Sequence, residues 1–556
     1  MATPLCNAKQ FWTALICTGV VCFGILGCVA YTGPLPQNIF GHDLFALLDG
    51  GWRWQWGIVP HADYYSPMGA LSYLLVFLGI SASGSLADAL PTAVWLFGLC
   101  LLPFLLYVTF TRMVPLVAAL ACVAVLAAAV APHQLRFGSE AWSYAGIYNR
   151  WGYALLSLAL LTIAVTPFNQ TIWKEIGDGG ITGACIALLV CLKISYGCVA
   201  IAVFGVCTII NRRSLKFYIA SVVAMATWAV VFGFLIHWAF VSFSHDMLLA
   251  FRARDGLGLG AVFHSMTFLY DPLFKMVLLV GLSYLSASIF LGAAATSRLL
   301  KGLQWGSCCA ICAIIILMTN SPLGSLPESP VLVLGALLLG SWIVEDGANK
   351  AVVGAPSHSS VRSTITLITG LVVLSLLVPV TGRNLAGLLR AAAFKHRGKH
   401  LAANEMFQTG PLRGIQILGY GGDPPLPTSY IGKLQDGLDL LRETGNLNTP
   451  VITFDFTNPF NVARGVRPCR GGPPAWQLGF LYSAKVAPRI EQVFDGATGV
   501  MVPKQFGDGN QANLEVLMQH YGFYLQEHFR AAGESPQWQL FVPKSAILAP
   551  EGVPSR

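Results

Sequence analysis

Residues 57–71 read GIVPHADYYSPMGAL, and they sit between two long apolar runs. Pro60 and Pro67 stiffen the stretch, while His61, Asp63, Tyr64 and Tyr65 crowd it with polar rings and a carboxylate. A spacer needs only to be polar. A carboxylate held against apolar surface is costly unless it finds a partner, so the stretch reads as a site at a membrane boundary.

The composition supports that boundary. The chain has 556 residues, 55% hydrophobic and only 11% charged, with a mean hydropathy of +0.63. Soluble domains carry about 25% charged residues, so this is a polytopic membrane protein with one extramembrane part. A net charge of +8 is small for this length; it points to cytoplasmic loops, not to nucleic acid. Of 14 cysteines, 13 lie in or beside apolar runs and only Cys469 sits in the polar C-terminal part. That pattern gives no disulfide framework, and no Cys/His cluster has the spacing of a zinc site.

Apolar length predicts about eleven spans, at residues 11–31, 67–82, 90–110, 114–131, 151–167, 181–210, 217–240, 273–297, 302–319, 330–345 and 364–381,. The run from Phe11 is long enough to cross and reads as a span, not a cleavable signal peptide. Basic loops at Asn211–Lys216, Arg298–Lys301 and Lys350–Arg362 belong in the cytoplasm, which puts the C-terminus outside,. The side of residues 132–150 depends on whether 181–210 is one helix or is broken at Ser195-Tyr196-Gly197. Residues 1–381 therefore form a membrane module. Residues 382–556 are polar, with strand-like Val451–Phe454 and helical patterns at Tyr430–Thr444 and Gln511–Ala532, and they predict a small α/β domain,.

The first outer loop, 32–66, carries Phe40, Leu44, Leu47 and Leu48 at helical spacing, then Trp52, Trp54 and Trp56. It predicts an amphipathic helix lying at the interface, anchored by indoles. Asp43 precedes it. Asp43, followed by Gly57, Pro60, His61, Asp63, Tyr64, Pro67 and Gly69, resembles the GT-C superfamily of integral membrane glycosyltransferases that use polyprenyl-phosphate sugars. Ile147–Tyr153, with Arg150 at a span's start, and Leu192–Gly197, with Lys193 inside an apolar run, are similar to that family too.

The resemblance implies sugar transfer, with inversion, from a polyprenyl-phosphate donor to a glycan or lipid-linked acceptor. It places the reaction on the outer face of a bacterial-type inner membrane. Such transfer needs a base for the acceptor hydroxyl and cations for the leaving phosphate. Asp43 is the first choice of base. Asp63 is the alternative, or an acceptor-positioning or metal-binding group. Lys193, Arg150, His61 and Tyr64 are donor-side candidates; Glu328, Asp455 and Arg467 are loop or acceptor candidates. The family varies in its use of a divalent cation, and no complete ligand set is visible.

Plainer readings exist for each. Asp43 suits a helix start, Asp63 a turn, Arg150 a topological charge, and Lys193 a snorkelling side chain. The stretch Ser244–Asp255 reads as a solvated amphipathic face. A transporter or lipid-linked-sugar flippase with Lys193 in its pathway is the alternative function.

Overall fold

Thr18, Cys22, Ile25, Val29 and Thr32 recur three or four residues apart, and they are the buried stripe of the first helix, α1 (Ala8–Thr32). Outside that stripe α1 exposes large apolar side chains, including Trp12, Ile16, Val20 and Phe23. That is what a helix facing lipid presents. This computed structural model describes residues 8–134, 137–210, 213–254, 359–397, 406–408, 410–418, 430–507 and 511–544. The expected spans 273–297, 302–319 and 330–345, the Arg298–Lys301 loop and Glu328 lie outside the described residues.

The chain is mainly helical. After α1 come α2 (Asp43–Gln55), α3 (Ala70–Ser83), α4 (Ala89–Phe110), α5 (Pro115–Val130), α6 (Ile147–Ala164), α7 (Ile172–Leu192), α8 (Ile194–Ile210), α9 (Leu215–Leu235), α10 (Phe240–Ala253) and α11 (Ser359–His396). Among the described residues, α1, α4, α7 and α9 are long and apolar enough to cross a membrane, and α3, α5 and α8 are shorter apolar helices. α7 and α9 approach closely because α7 carries Gly179 and Gly183 one turn apart. A Cβ at either would lie 2.3 Å from the Phe217 carbonyl oxygen or 2.1 Å from that of Ser221. This is the small-residue contact that lets membrane helices pack backbone to backbone.

The run 181–210 is broken, two residues before the predicted point. α7 ends at Leu192, Lys193 is extended (φ −162°, ψ 117°), and α8 begins at Ile194. A helix break in apolar surroundings frees carbonyls that must be satisfied by protein. The end of the Gly57–Leu71 stretch and the residue after it do so: the Gly69 amide and the Ser72 hydroxyl both donate to the Leu192 carbonyl, at 3.1 and 3.2 Å. A Cβ on Gly69 would stand 2.0 Å from the Cys191 carbonyl oxygen. The last glycine of the motif is thus a backbone-to-backbone contact with the Lys193 break. Gly69→Val should lower stability by roughly 1–3 kcal/mol through overpacking. Thermal unfolding of the purified protein checks it, and an unchanged midpoint would contradict the contact.

α2 differs from the expected interfacial anchor. Its Leu44, Phe45, Leu47, Leu48, Asp49 and Arg53 are all buried, because α3 covers one side and the C-terminal domain the other. The Trp52 indole donates to the Val466 carbonyl of that domain at 2.9 Å.

α11 continues through residue 381 to His396, so the polar domain begins beyond it. That domain is α/β: a four-stranded sheet in the order β1-β2-β4-β3, from β1 (Ile452–Thr453), β2 (Val500–Pro503), β3 (Phe529–Glu534) and β4 (Trp538–Pro543). β1 and β2 are parallel and the other pairs antiparallel. Helix α12 (Tyr430–Glu443) leans on β4, where the Trp538 indole donates to the Lys433 carbonyl. Trp476, Tyr482, Phe494 and Tyr521 fill the core on the side of helix Gln511–His528.

Candidate active site between the membrane module and the C-terminal domain

Asp43 is the first residue of α2. Its carboxylate suits the positive end of the helix, and its side chain is still 32% exposed. The buried His42 beside it brings Nε2 to 3.2 Å from the carboxylate. The other side of that imidazole meets Phe456 edge to face, at 4.5 Å between ring centres. Phe456 belongs to the C-terminal domain, immediately after β1. One turn into α2, Phe45 stacks on Tyr430 of the same domain at 5.5 Å. The part-exposed acid therefore lies at the seam between α2 and the C-terminal domain.

A cation stands at the α7–α8 break. Lys193 Nζ donates to Asn149 Oδ1 at 3.2 Å, and the Tyr196 hydroxyl donates to the same oxygen at 3.1 Å. The ammonium stands over the Tyr148 ring at 5.2 Å. Tyr148 lies within electrostatic reach of Asp43 and of Arg254, and Lys193 within that of Arg254. Arg254 caps the end of α10 and lies over the Phe480 ring of the C-terminal domain at 5.2 Å. The half-buried Tyr148 ring therefore carries Lys193 directly, with a carboxylate and a second cation in electrostatic reach.

The other residues singled out in the sequence take different roles. Asp63 is tied down: Oδ2 accepts from the Val59 amide at 2.8 Å, and Oδ1 accepts from Arg470 Nη2 and Nε at 2.7 and 3.1 Å. That contact holds the exposed Arg470 guanidinium above its ordinary pKa range, through the hydrogen bond first and the charge second. Arg467, three residues earlier, is exposed. His61 is buried in a left-handed conformation (φ 69°) with Nδ1 at 2.9 Å from Asp246 on α10. Asp246 also accepts from the Ser66 amide at 3.2 Å. The expected solvated face of α10 is therefore a docking face, because this buried acid fastens it to the 57–71 stretch.

Tyr64 is fully buried, with the Arg53 guanidinium over its ring at 4.7 Å; burial pushes its hydroxyl well above the usual tyrosine range. Arg150 is buried away from Lys193. It donates to the carbonyls of Ala128 and His133 and to Asn384, which joins α5, α6 and α11. Asp455 is buried and paired with Lys433 at 2.7 Å. Among the described residues, no three His, Cys, Asp or Glu side chains come together to hold a metal ion.

The two modules are joined by contacts that no sequence motif announces. Asp49 and Arg53 form a fully buried pair at 2.8 Å within α2. Arg53 Nη1 also donates to the carbonyls of Cys469 and Gly471, both at 3.1 Å. Burial pushes the Asp49 carboxyl up, with Arg53 pulling the other way. The same short loop carries Arg470, so the arginine that grips the loop also aims the arginine that holds Asp63. The Tyr65 hydroxyl adds a bond to the Leu481 carbonyl at 3.0 Å.

No family profile and no curated protein matches this chain. Among solved structures, ArnT from Cupriavidus metallidurans in the apo state aligns over 96% of this chain and 98% of its own, with a TM-score of 0.41 and 11% identity. The same protein bound to undecaprenyl phosphate aligns over 98% and 100%, with a TM-score of 0.40 and 12% identity.

Proposed function

We propose that this chain is a membrane glycosyltransferase. It moves a sugar from a polyprenyl-phosphate donor to a hydroxyl of a glycan or lipid-linked acceptor, on the extracytoplasmic face of a bacterial-type inner membrane. The observation that carries this reading is a part-exposed acid, Asp43, where α2 meets the C-terminal domain, with Tyr148 in electrostatic reach of it and of Arg254 and Lys193 over the same Tyr148 ring. The region lies where an apolar bundle meets a polar domain, the depth at which a lipid phosphate meets water.

In this reading Asp43 takes the proton of the acceptor hydroxyl. The freed oxygen attacks the anomeric carbon, the bond from that carbon to the phosphate oxygen breaks, and its electron pair leaves with the polyprenyl phosphate. A single displacement inverts the anomeric centre. Lys193 and Arg254 stabilise the negative charge that grows on the leaving phosphate, an electrostatic contribution that is large in a partly water-excluded site. The guanidinium of Arg254 offers a planar set of donors to phosphate, and the ammonium of Lys193 a compact charge. His42 keeps Asp43 oriented.

Lys193→Met should lower transfer on the order of 10²-fold, the usual loss on removing one charge-stabilising donor. Initial rates with a polyprenyl-phosphate sugar in proteoliposomes measure it, and a rate within a factor of two of wild type would remove Lys193 from the mechanism. The break at Lys193 also favours a second reading, a carrier of lipid-linked sugar with Lys193 in its path. That reading expects Lys193→Met to abolish flipping of a labelled lipid while Asp43→Asn leaves it intact.

A further inference from the structure

The imidazole of His61 is buried, and only one of its nitrogens is engaged. Nδ1 is held by Asp246, while Nε2 has no hydrogen-bond partner among the described residues. Leaving a buried polar atom without a partner is unfavourable, and the few such atoms in a native structure call for a reason. The backbone is strained at the same place. His61 sits at φ 69°, held there by the bond from its amide to the Tyr64 carbonyl at 2.9 Å. Strain of this kind gathers at ligand sites. Phe243 of α10 meets the imidazole edge to face, at 4.9 Å between ring centres, so the ring is fixed from two directions.

His61 also lines a cavity of about 220 Å³, set among the last turns of α7, α8, the second half of α9 and the start of α10. Val190, Ile201, Met225, Phe232 and Phe243 are among its walls. No Lys, Arg, Asp or Glu lines it among the described residues. Ile201 and Phe240, both in the wall, are 49% and 38% exposed. The cavity therefore reaches the outside of the described bundle, where the membrane-crossing α7 and α9 meet lipid.

These walls select a class of ligand. Apolar side chains accept a hydrocarbon chain. A phosphate head would stand in an apolar space with no cationic side chain but the imidazole, at a high desolvation cost. A hydroxyl both donates and accepts, so it satisfies Nε2 whether or not that nitrogen carries a proton. We propose that the cavity is a binding site for a neutral lipid alcohol, with its chain among α7, α8 and α9 and its hydroxyl on His61 Nε2. The site goes beyond the transfer reading and does not depend on it, since the donor phosphate of that reading is met by Lys193 and Arg254.

The test is photolabelling of the full chain in phosphatidylcholine nanodiscs, with a hexadecanol that carries a diazirine in its chain. Peptide mass spectrometry should place the label on the last turns of α7 and the second half of α9. Geranylgeraniol or dioleoylglycerol should compete, and which of them does so tells an isoprenoid source from a glyceride one. Hexadecane and geranylgeranyl phosphate should each compete about five-fold less well, the scale of one hydrogen bond. His61→Asn should lower labelling by the same factor. Asn tolerates the left-handed backbone and can still donate to Asp246, but it has no atom in the place of Nε2. Ala229→Phe, which fills the cavity from α9, should abolish labelling. Melting temperature is followed throughout, and if His61→Asn fails to fold, Ala229→Phe decides. Equal labelling of wild type and the folded variants, or label on other segments only, would overturn the site. So would competition by the alkane or the phosphate that matches the alcohols, or competition by neither alcohol.

Discussion

Asp43→Asn should lower sugar transfer by about 10²–10⁴-fold, the range attributed to one positioned acid–base group. The protein should still insert and melt as wild type does. Asn has nearly the same shape as Asp and keeps an oxygen at the start of α2 beside His42, so the helix start survives. What goes is the capacity to take a proton. The contrast with Asp63 sharpens the expectation. Asp63 accepts from the Val59 amide and from two nitrogens of Arg470, so both its oxygens are already engaged in holding the C-terminal domain. Asp63→Asn should change the rate by no more than about ten-fold, the scale of a disturbed exposed ion pair. Initial rates for both variants under one donor concentration provide the comparison; a larger loss for Asp63→Asn would exchange their roles.

Arg53→Ala should destabilise the protein by about 3–5 kcal/mol, the cost of leaving a buried ionic partner uncompensated. The loss has two parts. Asp49 keeps its carboxyl in a fully buried place with no counter-charge, and the carbonyls of Cys469 and Gly471 lose their donor. The second part separates the domains and has its own reporter. Burial now pushes the Cys469 thiol up to about 11, so it should resist alkylation in wild type and label readily in Arg53→Ala. Peptide mass spectrometry after brief maleimide treatment reads this residue alone. Asp49→Leu combined with Arg53→Met should recover part of the melting temperature, since it removes both charges, but not the protection of Cys469. Protection unchanged in Arg53→Ala would mean that the grip on residues 469–471 does not hold the domains together.

What the sequence made legible follows from spacing. The buried stripe of α1, the break near Lys193 and the alternation of the C-terminal domain all come from local periodicity and composition. The 57–71 stretch was recognisable because two prolines, two glycines and an acid at fixed offsets describe a rigid turn. Its packing reason, the seat of Gly69 against the α7–α8 break, joins residues more than a hundred positions apart and has no local sign.

The same limit explains the differences. α2 looked like a surface anchor because its indoles and leucines share one face. Its Asp49 and Arg53, four residues apart, were the available signal that a second, polar face is buried against protein. Asp246 read as solvated because a lone acid on an amphipathic helix usually is, and only the fold brings His61 to it. Arg150 was taken with Lys193 because both are basic residues near span boundaries, yet its donors are spent on backbone carbonyls. Arg254 stood in the stretch Ser244–Asp255 and Phe456 beside Asp455. Nothing in their neighbours told them apart from Arg252 or Phe454.

The most direct test of the central claim is sugar transfer by the purified chain in liposomes. The donors are a panel of polyprenyl-phosphate hexoses and pentoses, the acceptors are glycans extracted from bacterial envelopes, and wild type runs beside Asp43→Asn. The account predicts a glycosylated product from wild type with at least one donor, of inverted anomeric configuration, and none above background from the folded variant. Equal product from both, or none from wild type across the panel, would contradict it.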